Sequence, residues 1–251
     1  MNTSKKALVQ ISKAAALALI FSAALLAQNY PGKWVGKWIW IAGQPRPVNY
    51  FLFVRHTFAL NDAPQRARLS ITAANRYVLY VNGKYIGRGP ARSGQFWKSY
   101  DRYELADSLH AGNNTIAVLA YYYGTANNYS TDERAGLFAQ FNIMTPGTEQ
   151  VVFGTDQSWR VSRAHAWSEN VIRVGFQEIY DANAELTGWM MPGFNDSKWE
   201  NAVVIAPQET PFSYLEARQT PMMKEREVSP TRIVEAGEVL ELAERFGATP
   251  M

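Results

Sequence analysis

The sequence predicts an all-β, antiparallel β-sandwich, and three observations carry that expectation. Asn82-Gly83 joins two short apolar runs, VLYV and KYIG. Asn-Gly between alternating apolar residues is the strongest short-range hairpin signal, because a type I′ turn needs φ > 0 at both central positions. Short runs rich in aromatic and β-branched residues recur along the chain, separated by Gly, Pro, Asn and Asp turn residues. Helical periodicity is almost absent, and many short strands with regular turn punctuation pack as two sheets.

The elements follow in order. Gly36–Ala42 (GKWIWIA) reads as a first strand, ended by Pro45 and Pro47. Asn49–Leu60 (NYFLFVRHTFAL) is a long strand with Tyr50, Leu52 and Val54 on one face and Phe51, Phe53 and Arg55 on the other. Both faces are largely apolar, so this strand is expected to be covered on both sides. Ala67–Ala73 alternates as a half-buried strand. The hairpin strands Tyr77–Val81 and Lys84–Gly87 come next, followed by the loop RGPARSGQFWKS. Tyr100–Leu105 reads as strand, Ala106–Ala111 as one helical turn, and Thr115–Tyr123 as a near-continuous apolar strand. Leu137–Met144, Gln150–Phe153 and Trp159–Val161 complete the set. Gln177–Ala202 is punctuated by Gly and Pro and heavy in tryptophan; its aromatic residues are expected to plug an edge of the sandwich. From Pro207 onward prolines recur, and Thr231–Met251 opens like a strand and then reads helical.

The N-terminus needs separate treatment. Lys5, Lys6 and Lys13 precede an apolar run, Ala14–Leu26, shorter than the ~20 residues of a membrane span. Residues 1–27 therefore read as a signal peptide, cut at Ala27 or near Ser22-Ala23-Ala24, and the mature chain as exported to the periplasm or beyond the cell. Membrane contact is expected only through this signal. The formal charge of +3 comes from the three lysines of that segment, and the remainder is neutral. The basic pI therefore gives no support to nucleic-acid binding. The chain has no cysteine, so no disulfide framework holds the fold and no lipid-anchored cysteine follows the signal.

The ordered motifs resemble one family. They are Trp38-Ile39-Trp40, the Phe-x-Phe-x-Arg strand Phe51–Arg55, LYVNGKYIGRGPARS at Leu79–Ser93, YDRYEL at Tyr100–Leu105 and GNNTIAVLAYYYG at Gly112–Gly124. EIYDA at Glu178–Ala182 and GWMMPGFNDSKW at Gly188–Trp199 follow. Together they resemble the N-terminal β-sandwich region of bacterial α-L-rhamnosidase-type glycoside hydrolases. A weaker version of the middle of the pattern occurs in the jelly-roll sugar-binding domain of β-galactosidase-like hydrolases. The resemblance implies a jelly-roll-like, galactose-binding-like sandwich over residues 36–206. Residues 207–251 are expected to be a linker and the start of a truncated following domain. In that family an (α/α)6 barrel carries catalysis through glutamates, and nothing in this sequence corresponds to it. The expectation is an exported, non-catalytic carbohydrate-associated module that binds a rhamnose-containing glycan or packs on a catalytic barrel. The alternative is the front piece of an α-L-rhamnosidase whose hydrolysis needs the missing barrel. An adhesion-type sandwich without a sugar role is a third reading.

The residues themselves offer little catalytic chemistry. Glycoside hydrolysis needs two carboxylates facing each other across a bond, roughly 5–10 Å apart. Asp101 and Glu104 would point to opposite faces of one strand, and Glu178 and Asp181 read as turn carboxylates. No G-x-S-x-G exists, and His56, His110 and His165 stand singly. No zinc spacing and no D-x-D-x-D-G calcium loop occurs. No cofactor is therefore evident, and a structural calcium held by scattered carbonyls leaves no trace in a sequence. Sugar binding needs less: an aromatic ring to stack on a pyranose and planar polar groups for its hydroxyls. Arg88, Arg92, Gln95, Phe96, Trp97, Tyr100, Asp101 and Tyr103 supply that mixture. Tyr122, Tyr123, Asn127, Asn128 and Tyr129 add to it from the next loop. In a jelly roll both loops would lie at one rim, as a glycan-binding or docking surface. Equally, Arg88, Arg92 and Asp101 would form an ion-pair cluster that locks the loop.

Overall fold

A computed structural model describes residues 34–93, 97–124, 134–145, 148–168, 178–210, 214–226 and 228–229. The expected signal peptide and the strand-like and helical segment Thr231–Met251 lie outside the described residues. Two units are separated, residues 1–219 and 220–251. The described part of the second has no regular secondary structure.

The first unit is a sandwich of two sheets. One is seven-stranded: β12 (Val203–Val204), β1 (Ile39–Trp40), β8 (Leu137–Thr145), β3 (Ala67–Ala73), β6 (Trp97–Glu104) and β13 (Tyr214–Ala217) lie in that order, with β9 (Thr148–Gly154) also paired to β8. The other is six-stranded: β11 (Glu200–Asn201), β10 (Arg160–Arg163), β2 (Tyr50–Leu60), β7 (Gly112–Tyr122), β4 (Arg76–Val81) and β5 (Lys84–Gly89). Pairing is antiparallel except for β13, which runs parallel to β6. The all-β sandwich expected from the sequence is the observed architecture. The helical turn is a short 3-10 segment at Ala106–Ser108.

The hairpin turns as its residues dictate. Asn82 and Gly83 both have positive φ, 52° and 83°, the combination that a type I′ turn requires. The turn is also tied down. The Asn82 side-chain amide donates to the Ser108 carbonyl and to Asn114 Oδ1, and its oxygen accepts from the Thr115 amide, all at 2.8 Å.

The first half of strand β2, Tyr50–Arg55, is buried on both faces, as its sequence predicts. Tyr50, Leu52 and Val54 join Leu69, Ile71, Leu79, Val118 and Phe141 in the core between the sheets. Phe51 and Phe53 face the other way, into a second cluster with Ala117, Ala164, Trp189 and Trp199. The tryptophans of residues 178–202 therefore cover the outer face of the six-stranded sheet. This corrects the expectation that they plug an edge. The physical reason is the apolar back of β2, which needs a partner of its own. Phe53 meets Trp189 at 4.4 Å and stacks on Trp199 at 5.9 Å, and Phe51 stacks on Tyr121 and Trp167.

Arg55 fastens this cover. It is 1% exposed, donates to the carbonyls of Trp189 and Met191, and pairs with Asp196 at 3.0 Å. A guanidinium has five donors in a fixed fork and accepts burial when carbonyls and a carboxylate meet it. Arg55→Ala leaves those carbonyls and Asp196 without their donor. It is expected to cost about 3 kcal/mol, read from urea denaturation, with proteolysis within residues 178–199 accelerated more than elsewhere.

His56, on the neighbouring position, is a packing residue. Its ring stacks on Trp159 at 4.9 Å and lies 4.6 Å from Phe153. Burial holds its pKa below 6.5, with Asp156 opposing. Because the folded state disfavours the imidazolium, the unfolded state binds more protons once the pH falls below about 6.5. Stability is expected to decline through that window, and His56→Phe to flatten this part of a thermal-melt pH series.

Candidate functional site

The loop singled out in the sequence leaves the hairpin later than expected, because β5 continues through Arg88 and Gly89. Val78 pairs with Arg88 and Tyr77 with Gly89. This brings the end of the hairpin over the inward face of β6, where Asp101 and Tyr103 point.

Asp101 is fully buried and is the centre of a compact polar cluster. Tyr77, from β4, donates its hydroxyl to Asp101 Oδ2, and Arg218 donates its Nε to Oδ1. Tyr77 lies 3.3 Å from the Tyr103 hydroxyl, which in turn donates to the Arg88 carbonyl at 3.4 Å. Burial raises the Tyr77 pKa well above its ordinary value, with the nearby Asp101 and Tyr103 adding to the effect. The hydrogen bond to Asp101 raises the Arg218 pKa further, against a smaller effect of burial. Tyr77 and Arg218 thus stay protonated donors around the buried carboxylate.

Two glycines permit the approach. A Cβ on Gly89 would strike the Asp101 carboxylate and sit 2.8 Å from the Tyr77 hydroxyl, and one on Gly87 would sit 2.7 Å from the Tyr103 ring. The Gly-Arg-Gly spacing is therefore a packing requirement of the two strands beneath it.

Arg218 was not visible as a site residue in the sequence, since it falls in the stretch expected to be a linker. The structure carries the sandwich through it. Tyr214–Ala217 adds a parallel strand to β6, with Tyr214 opposite Trp97 and Ala217 opposite Tyr100. The Arg218 amide donates to the Tyr100 carbonyl at 2.9 Å. The four-residue run YLEA followed by Arg is too short, and too close to Pro211 and Pro221, to announce itself. In the sequence Tyr77 shows only as a hairpin residue, because its contact with Asp101 joins different sheets.

The remaining candidates separate by burial. Tyr100 is buried on the opposite face of β6, where Trp34 meets it edge-on at 5.2 Å and Arg102 donates to its hydroxyl at 2.7 Å. Tyr122 is a core residue beside Trp40; a ring packed between the sheets is not presented to a ligand, which corrects its expected place at the rim. Arg88, Arg92 and Trp97 are exposed. Asn127, with Asn128, Tyr129, Gln95 and Phe96, lies outside the described residues. Asp101 and Glu104 point to opposite faces as expected, with Glu104 paired to Arg68 at 2.9 Å. Asp181 caps a short 3-10 turn by accepting from the Asn183 amide. Among the described residues, no three His, Cys, Asp or Glu side chains come together to hold a metal ion.

The family model of the alpha-L-rhamnosidase N-terminal domain matches residues 62–227, well over half of the chain. The chain belongs to this family. Among solved structures, the rhamnosidase N-terminal-type sandwich seen here resembles a GH78 family rhamnosidase of Bacillus sp. GL1, with TM-score 0.69 and 35% identity over 76% of this chain and 20% of that one. It also resembles the α-L-rhamnosidase of Dictyoglomus thermophilum, with TM-score 0.60 and 25% identity over 75% of this chain and 22% of that one. Among curated relatives, the α-L-rhamnosidase of Streptomyces avermitilis is 29% identical over 72% of this chain and 18% of its own length. The chain thus spans about a fifth of the relatives it matches. The family model runs past Arg218, and so does the first unit, which ends at Gln219.

Arg218→Ala removes the cation from a fully buried carboxylate and is expected to cost about 3 kcal/mol, measured by denaturant unfolding. Arg218→Ala in an Asp101→Asn background is expected to cost much less, the double-mutant cycle giving a coupling that a merely exposed ion pair would not show.

Proposed function

We propose that this chain is an exported, non-catalytic β-sandwich module of an α-L-rhamnosidase-type glycoside hydrolase, and that it packs against a catalytic domain. The observation that carries this reading is the pair Trp97 and Tyr214. They are register partners on β6 and β13, 38% and 46% exposed, at the end of the described seven-stranded sheet. Large, partly exposed aromatic side chains paired at the end of the described sheet are the residue types that anchor interfaces. Behind them, the candidate carboxylate is turned inward and already paired with Arg218 and Tyr77, so it offers neither an acid nor a base to a glycosidic bond. Arg88 and Arg92 supply exposed charge on the neighbouring rim. Hydrolysis of α-L-rhamnosides, the activity in the names of the relatives, belongs in this proposal to a separate catalytic domain.

A chimera provides the test. Residues 34–219 of this chain replace the matching segment of the Streptomyces avermitilis enzyme. The chimera is expected to unfold in one cooperative transition and to hydrolyse an aryl α-L-rhamnoside. Trp97→Ala with Tyr214→Ala is expected to split the transition, releasing the sandwich as an independently melting unit. Independent melting with Trp97 and Tyr214 intact would sink the docking reading. Turnover of the aryl rhamnoside by this chain alone, lost on Asp101→Asn or Glu104→Gln, would overturn the non-catalytic one.

A further inference from the structure

The turn that carries Trp189 also sets a sulfur atom on the hairpin. Residues 188–194 of the cover meet the β4–β5 hairpin at Tyr80 and at Gly83. Trp189 packs edge-on against Tyr80 at 5.5 Å. Two residues further on, Met191 lies across the Asn82-Gly83 turn. A Cβ on Gly83 would strike the Met191 Sδ and would sit 3.2 Å from its Cε and 3.7 Å from its Cγ. The glycine that gives the turn its φ of 83° therefore also leaves the space that the thioether fills. The backbone of Met191 is committed as well. Its amide donates to the Gly188 carbonyl at 2.9 Å, and its carbonyl accepts from Arg55 at 3.2 Å and from the Phe194 amide at 3.4 Å. One residue thus holds the hairpin turn by its side chain and the buried Arg55 by its main chain. Met191 is nevertheless 48% exposed, so solvent reaches a contact that fastens the cover.

We infer that Met191 is an oxidation site, and that its sulfoxide releases the cover from the hairpin turn. The chain has no cysteine and seven methionines, so thioethers are its entire sulfur chemistry. The oxidant is a hydroperoxide, with hydrogen peroxide as the simplest. A sulfur lone pair attacks one peroxide oxygen, and the S–O bond forms as the O–O bond breaks. The departing hydroxide takes the proton of the transferred oxygen and leaves as water. The thioether is oxidised by two electrons and the peroxide is reduced by two. A flexible apolar group becomes a polar, chiral one. The turn surface that held the thioether through dispersion now faces a group that is better solvated by water. Hydration of the sulfoxide oxygen draws the side chain off Gly83, and residues 188–194 lose their grip on the turn. Exposure alone does not give this effect. Met222 and Met223 are 41% and 88% exposed, but they lie in the second unit, away from the cover in sequence. Met190 is half-buried in the cluster around Phe53, and Met144 is buried.

The test treats the full chain with graded hydrogen peroxide at neutral pH, maps sulfoxides by peptide mass spectrometry and follows backbone hydrogen exchange. Met223 and Met191 are expected to oxidise before Met144. Exchange across residues 188–194 is expected to quicken about tenfold on oxidation, while the amides between β2 and β7 keep their protection. Across the peroxide series this acceleration should follow the Met191 sulfoxide fraction and not that of Met222 or Met223. Met191→Leu, which peroxide does not oxidise, should keep the slow rate after the same treatment, its fold checked beforehand by near-UV circular dichroism. Met191→Gln should show the fast rate without peroxide, and a methionine sulfoxide reductase should restore the slow rate in the oxidised chain. Met191 that stays reduced until Met144 reacts overturns the site. So does an oxidised Met191 with unchanged exchange, an acceleration that is equal in Met191→Leu, or a uniform loss of protection across the sandwich. The site does not rest on the proposed function, and failure of the chimera leaves it standing.

Discussion

The structure depends on one strand being dry on both sides. Tyr50–Leu60 pairs along its whole length with Gly112–Tyr122 and sends Leu52 and Val54 into the core and Phe51 and Phe53 out of it. A sandwich of two sheets buries only the first set. The second set needs a further layer, and the chain supplies one from residues some 140 positions later, fastened by Arg55 to Asp196 (|i−j| = 141). Fully burying a Phe or comparable side chain is worth about 1.5–3 kcal/mol, so the two phenylalanines and the tryptophans that meet them supply a strong reason for an otherwise irregular segment to hold one conformation.

That constraint explains which parts of the fold could be read from the sequence. The apolar two-sided start of Tyr50–Leu60 and the Asn-Gly turn are local statements, and the structure agrees with both; Ala67–Ala73, which alternates like a half-buried strand, is instead covered on both faces, Ser70 and Thr72 included. The cover was visible as an aromatic-rich segment, but its seat was not, because periodicity describes an element and not the surface it meets. The same limit applies at the candidate site. The mix of Arg, Asp and aromatic residues after the hairpin was legible. That Asp101 points inward followed from strand alternation only once its register was known. Its partners, Tyr77 and Arg218, come from another sheet and from a stretch whose prolines hide a short strand.

Carboxylates and phenols of the sandwich and of its cover differ in physical character. Around Asp101 each donor has a defined acceptor and the carboxylate is fully buried, so the group specifies how the hairpin end, β6 and β13 fit together. On the cover, Glu185 and the Tyr180 ring are open to solvent. Similar residue types thus act as a lock where they are enclosed and stay accessible to solvent where they are open. Exposure, rather than composition, decides between those uses.

The parallel pairing of β13 with β6 sets an order of events during synthesis. Asp101 leaves the ribosome 117 residues before Arg218 (|i−j| = 117). At ~5–20 residues per second, the chain is several seconds from supplying the strand that pairs with β6 and the cation that meets Asp101. An unpaired strand edge is a template for pairing with another chain. The nascent sandwich is thus most vulnerable to misassociation in the interval before Tyr214–Arg218 arrives, and that short parallel strand acts as the closure that ends it.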